Sequence, residues 1–492
     1  MSFSEQLIEH IQAAFSGIWI QSPEVEEVER TLIRLAPSQS WNLAVWDLAQ
    51  GFWRMGGTTS PEVADPLSAL KAFATLRDHE TASATLLVLP NFHRFLQSPE
   101  IIQQLVSLLK LGKRERMFVI IVSPVLQLPV ELTRQFVVLE FPLPAAVELG
   151  EIARELVSDT PDLLPTGPAW NQLLDAAAGL TRIEAEGAFA LSLTRHGNFQ
   201  PEVIWELKAQ LLRQQNLLRL HRGNESFANL GGLASLKTFC RQALRPGRSA
   251  STVKARGVLL LSPPGCGKSA FCRALGNETG RPVLTLDLGA VLGGIVGETE
   301  RNIRQALQVV DAMAPCVLFV DELEKGLAGV GGTGDAGVAT RLFGTLLTWL
   351  SDHTSDVFFV GTANHIQHLP PEFTRAERLD GIFFVDLPTK AQRHEIWSLY
   401  RRQYDISASE PIPADDGWTG AEIKSCCRLS ALLGISLAEA APQVVPVSKT
   451  SAEAIEQLRQ WAHGRCLSAD QAGIYTHTPA ATSRRKVTPS TN

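Results

Sequence analysis

At 492 residues, with a formal net charge of −6, 45% hydrophobic and 20% charged residues, the chain has the make-up of about two to four soluble globular domains. The acidic balance argues against a generally nucleic-acid-binding surface, and no apolar run approaches the ~20 residues that span a bilayer; the strongest, Met117–Val122, is strand-length. The stretch Met1–His10 lacks a basic segment followed by an apolar core, so no secretory signal is expected, and seven cysteines without a C-x-x-C pair fit a reducing compartment rather than a disulfide framework or a zinc site.

In chain order, the first half carries runs that return in the second. Gly17-Ile-Trp-Ile-Gln-Ser-Pro23 resembles Gly257-Val-Leu-Leu-Leu-Ser-Pro263. Leu86-Leu-Val-Leu-Pro-Asn91 stands where Val317-Leu-Phe-Val-Asp-Glu322 stands, and Leu128-Pro-Val-Glu-Leu-Thr-Arg134 matches Leu369-Pro-Pro-Glu-Phe-Thr-Arg375. An apolar strand ending in proline follows each, and Gly179-Leu-Thr-Arg-Ile-Glu184 echoes Gly417-Trp-Thr-Gly-Ala-Glu422. These matches keep one order at offsets of roughly 230–240 residues, the mark of an internal repeat. In this alignment Val28 replaces Lys268, and Pro90 and Asn91 replace Asp321 and Glu322. The expectation is a catalytically dead, nucleotidase-like α/β domain over residues 1–215, with an unrelated α/β domain as the alternative; a shared strand order decides between them. Residues 202–222 predict an amphipathic connecting helix with Lys208, Arg213, Arg219 and Arg222 on a solvated basic face.

The chain is organised around residues 257–269. Val258–Leu261 reads as a buried strand, and the following residues fit the phosphate-loop spacing G-x-x-x-x-G-K-[ST], with Ser262 in place of the first glycine. Ser262, Pro263, Pro264, Gly265, Cys266, Gly267, Lys268 and Ser269 form the expected nucleotide cradle, and Ala270 lies in the helix that opens behind it. Gly265 and Gly267 let backbone N–H groups turn toward a triphosphate. Lys268 supplies a point charge to the β/γ-phosphates, the Ser269 hydroxyl can hold Mg²⁺, and the helix N-terminus faces the anion.

Further strands are expected at Val283–Leu286, Val317–Val320, Phe358–Gly361 and Ile382–Val385, alternating with helices as in a parallel α/β sheet. Ligands in such sheets lie beyond the carboxyl ends of the strands. Asp321 and Glu322 end one strand and suit a metal-holding carboxylate and a base for the attacking water. Asn364 ends the next and can hydrogen-bond the γ-phosphate or that water. Cys266 admits two readings, a thiol activated by the helix N-terminus or a small residue passively accommodated. Cys426 and Cys427 read as helix packing, and His365 with His368 lacks a third ligand. Residues 468–492, rich in Ser, Thr, Ala and Pro, read as a disordered tail.

Together, the phosphate loop, Val317-Leu-Phe-Val-Asp-Glu322, Phe358-Phe-Val-Gly-Thr-Ala-Asn364 and Arg375-Ala-Glu-Arg378 resemble the AAA clade of AAA+ ATPases over about residues 226–466. Leu230-Gly231-Gly-Leu233 is similar to that clade's adenine-contacting lead-in segment, and Gly417-Trp-Thr-Gly420-Ala421-Glu-Ile423 to the motif of its helical lid. Gly293-Gly-Ile-Val-Gly-Glu-Thr-Glu300, Ala314-Pro-Cys-Val-Leu-Phe-Val-Asp-Glu322 and Gly334-Asp-Ala-Gly-Val-Ala-Thr-Arg-Leu-Phe-Gly344 resemble more narrowly the cyanobacterial and plastid-encoded AAA ATPases of the hypothetical chloroplast reading frame group.

The resemblance implies a P-loop AAA+ parallel sheet over residues 216–390 with a helical lid over 391–467, preceded by a degenerate AAA-like domain. It implies ATP and Mg²⁺, Arg375 and Arg378 as arginine fingers for a neighbouring subunit, and a homo-oligomeric, hexameric ring that remodels a protein client. Glu377 departs from the glycine usual before the second arginine, which leaves open an intramolecular ion pair. Ile295, in Gly293–Gly297, replaces the aromatic residue with which pore loops grip polypeptide. Local remodelling is therefore expected ahead of processive threading. A slow-hydrolysing scaffold is the rival reading; a nucleic-acid motor fits the acidic balance least. A cytoplasmic location, or the plastid stroma for a plastid-encoded member, is implied, with no membrane partner.

Overall fold

A computed structural model describes residues 2–55, 63, 65–76, 84–215, 217–223, 225–245, 254–292, 298–328, 336–365, 373 and 378–477. The chain divides into two compact units, Met1–Thr166 with Leu180–Phe199, and Gly167–Gly179 with Gln200–Asn492. Among the described residues no single helix is long and apolar enough to cross a membrane.

The first unit is built on β1 (Gly17–Gln21), β2 (Trp41–Asp47), β3 (Gly51–Arg54), β4 (Ala84–Pro90), β5 (Met117–Ser123) and β6 (Phe136–Glu140). Their order across the sheet is β3-β2-β4-β5-β1-β6. All neighbours are parallel except the β2–β3 hairpin. Asp47 closes that hairpin by accepting from the N–H groups of Ala49 and Gln50, both at 2.7 Å. Side chains alternate along β1, so Trp19 joins one buried layer with Trp46, Phe73 and Phe92 while Ile18 and Ile20 join another with Leu32 and Phe118. A sheet covered on both faces explains why these strands read as continuous apolar runs.

The second unit contains β7 (Leu218–His221), β8 (Gly257–Leu261), β9 (Val283–Leu286), β10 (Cys316–Val320), β11 (Val357–Ala363), β12 (Gly381–Phe384) and β13 (Leu467–Ser468). Their order is β13-β12-β8-β11-β10-β9-β7, with β7 antiparallel to β9. Beyond the sheet, helices Lys390–Gln403 and Gly420–Leu433 close a separate core of Trp397, Trp418, Ile423, Cys426 and Cys427. Both cysteines are fully buried there, the packing role expected of them.

Leaving aside the edge strands β3, β7 and β13, the two sheets share one topology: β6-β1-β5-β4-β2 corresponds to β12-β8-β11-β10-β9. The fold is therefore an α/β AAA-type sheet preceded by a second sheet of the same strand order. Details of the repeat coincide too. Asn91 and Glu322, just after the corresponding strands β4 and β10, both adopt left-handed backbone, at φ 52° and 50°. Thr181 and Thr419 each open a helix and donate a backbone N–H to the glutamate three residues on, Glu184 at 2.9 Å and Glu422 at 2.7 Å; Thr181 alone completes the capping box through its hydroxyl.

Four expectations change. The link from β1 to helix Val25–Gln39 is only Ser22-Pro23-Glu24, where the second unit spends Ser262–Gly267 before its helix Lys268–Thr279. Val28 therefore lies a turn inside its helix, fully buried, and does not stand at the place of Lys268; the cradle itself is missing. Second, the connecting helix ends at Gln215 and Leu218–His221 forms β7. Third, Lys208 belongs to no solvated face, being 1% exposed. Its Nζ donates to the Ala178 carbonyl at 2.6 Å and lies 4.1 Å from the centroid of the Trp205 ring. Helices Pro168–Ala177 and Pro201–Gln215, which this contact joins, fall within the second compact unit. Fourth, residues 468–477 are no disordered tail: β13 pairs with β12, and Ala469 is fully buried. Residues 478–492 lie outside the described residues.

Burial pushes the Lys208 amine down to about 7, with Arg222 adding to the effect and Asp175 opposing it. The unfolded chain holds this proton to its ordinary value of 10.5, so between the two values the unfolded state binds more protons and stability climbs with pH. Lys208→Met should stabilise the second unit by roughly 1–3 kcal/mol at neutral pH. Denaturant unfolding at pH 7 and pH 9 checks this: the advantage of the Met variant should shrink at the higher pH, and an equal advantage at both would contradict it.

Candidate nucleotide site

The carboxyl ends of β8, β10 and β11 open into a cavity of about 340 Å³. It is lined by Pro264, Gly265, Cys266, Gly267, Lys268, Ser269 and Ala270 after β8, by Asp321 and Glu322 after β10, and by Asn364 after β11. Leu230 and Gly231 form one wall, Gly420 and Ala421 another. Pro263 and Ser262 stand behind the cradle as hydrogen-bonding partners of its lysine.

Lys268 is the hub of this arrangement. Only 8% exposed, its Nζ donates to Ser262 Oγ and Asn364 Oδ1, both at 2.7 Å, and lies 3.3 and 3.4 Å from the carbonyls of Ser262 and Pro263. Burial pushes its amine below the ordinary value, while the carboxylates of Asp321, Glu324 and Glu322 pull the other way. The departure from glycine at 262 thus has a geometric use. Ser262 Oγ accepts from the lysine and donates to the Pro263 carbonyl at 2.8 Å, steadying the loop's first turn.

The acidic residues are also fixed in place. Ser269 Oγ donates to Asp321 Oδ2 at 3.2 Å, setting a hydroxyl beside a carboxylate, a hard-oxygen pair suited to Mg²⁺. Thr362, fully buried, donates through Oγ1 to Asp321 Oδ1 at 2.5 Å and accepts from the Glu322 N–H at 2.8 Å. That bond holds Glu322 in its left-handed conformation, unusual for a residue with a Cβ. Its carboxylate accepts from Asn364 Nδ2 at 3.1 Å and pairs with Lys325 Nζ at 2.5 Å. Glu324 accepts from the Asn364 backbone N–H at 2.8 Å.

Gly265 and Gly267 take φ of 82° and 86°, which the turning loop requires. A Cβ on Gly265 would meet Thr419 Oγ1 at 2.8 Å. That hydroxyl is itself buried without a hydrogen-bond partner among the described residues. Glycines turned inward, an orphaned buried hydroxyl, a cation at the loop's centre and a hydroxyl–carboxylate pair all fit a nucleoside triphosphate with Mg²⁺. Burial pushes the Cys266 thiol up to about 12; of its two readings, passive accommodation is the one this environment supports.

Arg378 lies away from the cavity, its Nε donating to Ser351 Oγ at 3.1 Å. Arg375, Glu377, His368 and the loop Gly293–Gly297 with Ile295 lie outside the described residues. Sequence reasoning missed several residues at the site. Thr362 lies within the Phe358–Asn364 motif and Glu324 two residues after Glu322, and neither residue type at that spacing announces a role. Asp470 came from a segment taken for tail, yet its Oδ1 accepts from the Leu233 N–H at 2.7 Å and from Gln392 Nε2 at 2.6 Å, tying the lead-in segment to the lid.

Strand order and site together define an AAA ATPase nucleotide-binding domain. Residues 258–387 match the profile of the ATPase family associated with various cellular activities (AAA). Residues 3–141 match the SpoVK-like AAA ATPase, N-terminal domain, and 147–215 the SpoVK-like AAA ATPase, second domain. The chain is 30% identical to the AAA domain-containing protein ycf46 of Guillardia theta, over 94% of this chain and 95% of that one. It is 29% identical to that of Pyropia yezoensis, over 95% and 99%. The Cell division cycle protein 48 homolog of Archaeoglobus fulgidus is 29% identical over 43% of this chain and 31% of its own. The chain belongs to the ycf46 family of AAA ATPases.

Asp470→Ala should free Leu233 and Gln392 and weaken nucleotide binding by roughly five- to tenfold, about 1 kcal/mol. Titration with a fluorescent ATP analogue measures this; unaltered affinity would show that the C-terminal tether does not shape the site.

Proposed function

We propose that the second unit, as a nucleotide domain over about residues 216–390 with a lid over 391–467, hydrolyses ATP in a homo-oligomeric, hexameric ring and uses the cycle to remodel or disassemble a protein partner. One observation carries this reading: Lys268, the Ser269–Asp321 pair and the Glu322–Asn364 pair converge on a single cavity at adjacent strand ends. Lys268 and the backbone of Pro264–Gly267 bind the β/γ-phosphates. Leu230 and Gly231 receive the base, and Gly420 and Ala421 bring the lid onto the phosphates. Ser269 and Asp321 would hold Mg²⁺, which supplies charge neutralisation to the phosphates. Glu322 takes a proton from water as its oxygen bonds to the γ-phosphorus and the bond to the β–γ bridging oxygen breaks. Asn364 orients that water or the γ-phosphate, and Arg375 and Arg378 complete the site of a neighbouring subunit. The compartment is the cytoplasm, or the stroma in a plastid-encoded member.

A second reading, a nucleotide-dependent scaffold that hydrolyses slowly, has its own support. Glu322 is engaged by both Asn364 and Lys325, and Lys268 is satisfied by the loop's own oxygens. The Glu322 carboxylate raises the Lys325 amine above its ordinary value, and the same pairing occupies a carboxylate oxygen that would otherwise meet the attacking water.

Two experiments separate these readings. Glu322→Gln should bind ATP as the wild type does while turnover falls by about 10²-fold or more; wild-type turnover would remove Glu322 from the reaction. Turnover per subunit should climb with protein concentration and level off as rings form, and wild-type chain that binds ATP without measurable turnover at any concentration would favour the scaffold. In the same assay Lys325→Ala should raise turnover a few-fold by freeing the carboxylate.

A further inference from the structure

The first unit retains the strand order of the second but, lacking a cradle, fills that edge of the sheet in its own way. Glu24, in the shortened link after β1, is 4% exposed. Its backbone is anchored at the carboxyl ends of β1 and β5: the Glu24 N–H donates to Ser22 Oγ at 3.0 Å, and the Ser22 N–H to the Ser123 carbonyl at 3.0 Å. This is the edge of the sheet at which ligands of such folds reside.

The Glu24 carboxylate points at the first turn of helix Arg182–His196. Oε1 accepts from the Arg182 backbone N–H at 2.6 Å; burial pushes the Glu24 carboxyl above its ordinary value, and the backbone N–H groups of Arg182 and Ile183 oppose that push. These are first-turn donors with no partner inside the helix. Thr181 Oγ1 takes the next one, from Glu184, at 3.3 Å. The Arg182 side chain adds an ion pair to Glu27 at 3.3 Å and another to Glu155 of helix Ala146–Leu156.

The matching helix of the second unit, Gly420–Leu433, meets its cradle differently. Ala421 N–H donates to the Gly265 carbonyl at 3.2 Å, and the buried Thr419 Oγ1 has no partner among the described residues. In the second unit a cradle carbonyl meets the helix's first turn and one hydroxyl is left unpartnered among the described residues; in the first unit a side-chain carboxylate meets that turn.

We propose that the Glu24 carboxylate substitutes in the first unit for a nucleotide's phosphates at this helix N-terminus, latching helix Arg182–His196 onto β1 so that the unit stays closed without nucleotide. The first unit is then constant in shape while the second cycles. It does not open and close with the ATP state of the chain. This inference goes beyond the proposed hydrolysis and does not depend on it.

Hydrogen–deuterium exchange on the full chain, resolved to single amides, tests the latch. In the wild type the Arg182 and Ile183 amides should be protected without nucleotide and unchanged when ATP is added, whereas exchange around Thr419–Ile423 reports nucleotide binding separately. Glu24→Ala should speed exchange at Arg182 and Ile183 by about tenfold or more, and added acetate or phosphate should restore protection by refilling the anion's place. Glu27→Ala, which removes only an ion pair of Arg182, should leave both amides protected. The proposal is overturned if these amides exchange freely in the wild type, if ATP alters their protection, or if Glu24→Ala leaves them as slow as before. Equal losses in the Glu24 and Glu27 variants overturn it as well. The wild-type measurement decides the matter even where Glu24→Ala does not fold.

Discussion

A buried ammonium group is the constraint on which the second unit depends. Lys268 is withdrawn from water and, among the described residues, has no carboxylate as a hydrogen-bonding partner; neutral oxygens of Ser262, Pro263 and Asn364 surround it. An ammonium in that setting is costly unless every donor is met, and meeting them fixes the loop after β8 against the residue after β11. The strand order places β11 between β8 and β10, so the residues after β10 come within reach. Thr362 then aligns Asp321 and Glu322. The site is preorganised through backbone topology and one cation's need for oxygen ligands.

The first unit shows what the same topology becomes when that cation is absent. Its link after β1 is three residues, too short to wrap an anion, and its helix opens on Val25 without a lysine. A helix N-terminus still needs acceptors for its free N–H groups, and Glu24 provides them. A difference in one loop sets the two similar sheets apart at this edge. The shared strand order, left-handed residues after β4 and β10 and the glutamates that accept from the N–H groups of Thr181 and Thr419 preserve the likeness elsewhere.

Much of this was legible in the sequence for a physical reason. Strands buried on both faces must be apolar throughout, so β8 to β12 announce themselves, and chemistry at strand ends places Asp321, Glu322 and Asn364 in order. Short edge strands carry no such pattern, which hid β3, β7 and β13. Lys208 was assigned to water because helical periodicity cannot tell a basic face that meets solvent from one folded over Trp205. Val28 was misplaced because a constant offset passes over the shortened link. Asp470 lay in a stretch of tail-like composition, and only the pairing of β13 with β12 brings it to Leu233 and Gln392. Arg375 and the Gly293–Gly297 loop lie outside the described residues, and the roles proposed for them between chains rest on the family resemblance.

The most direct test of this account is the number of nucleotides bound per chain, measured by equilibrium dialysis with labelled ATP and Mg²⁺. One site per chain, abolished in Lys268→Ala, is the predicted result. Two sites per chain, or a site that survives Lys268→Ala, would contradict it, because the first unit would then hold nucleotide where Glu24 now stands.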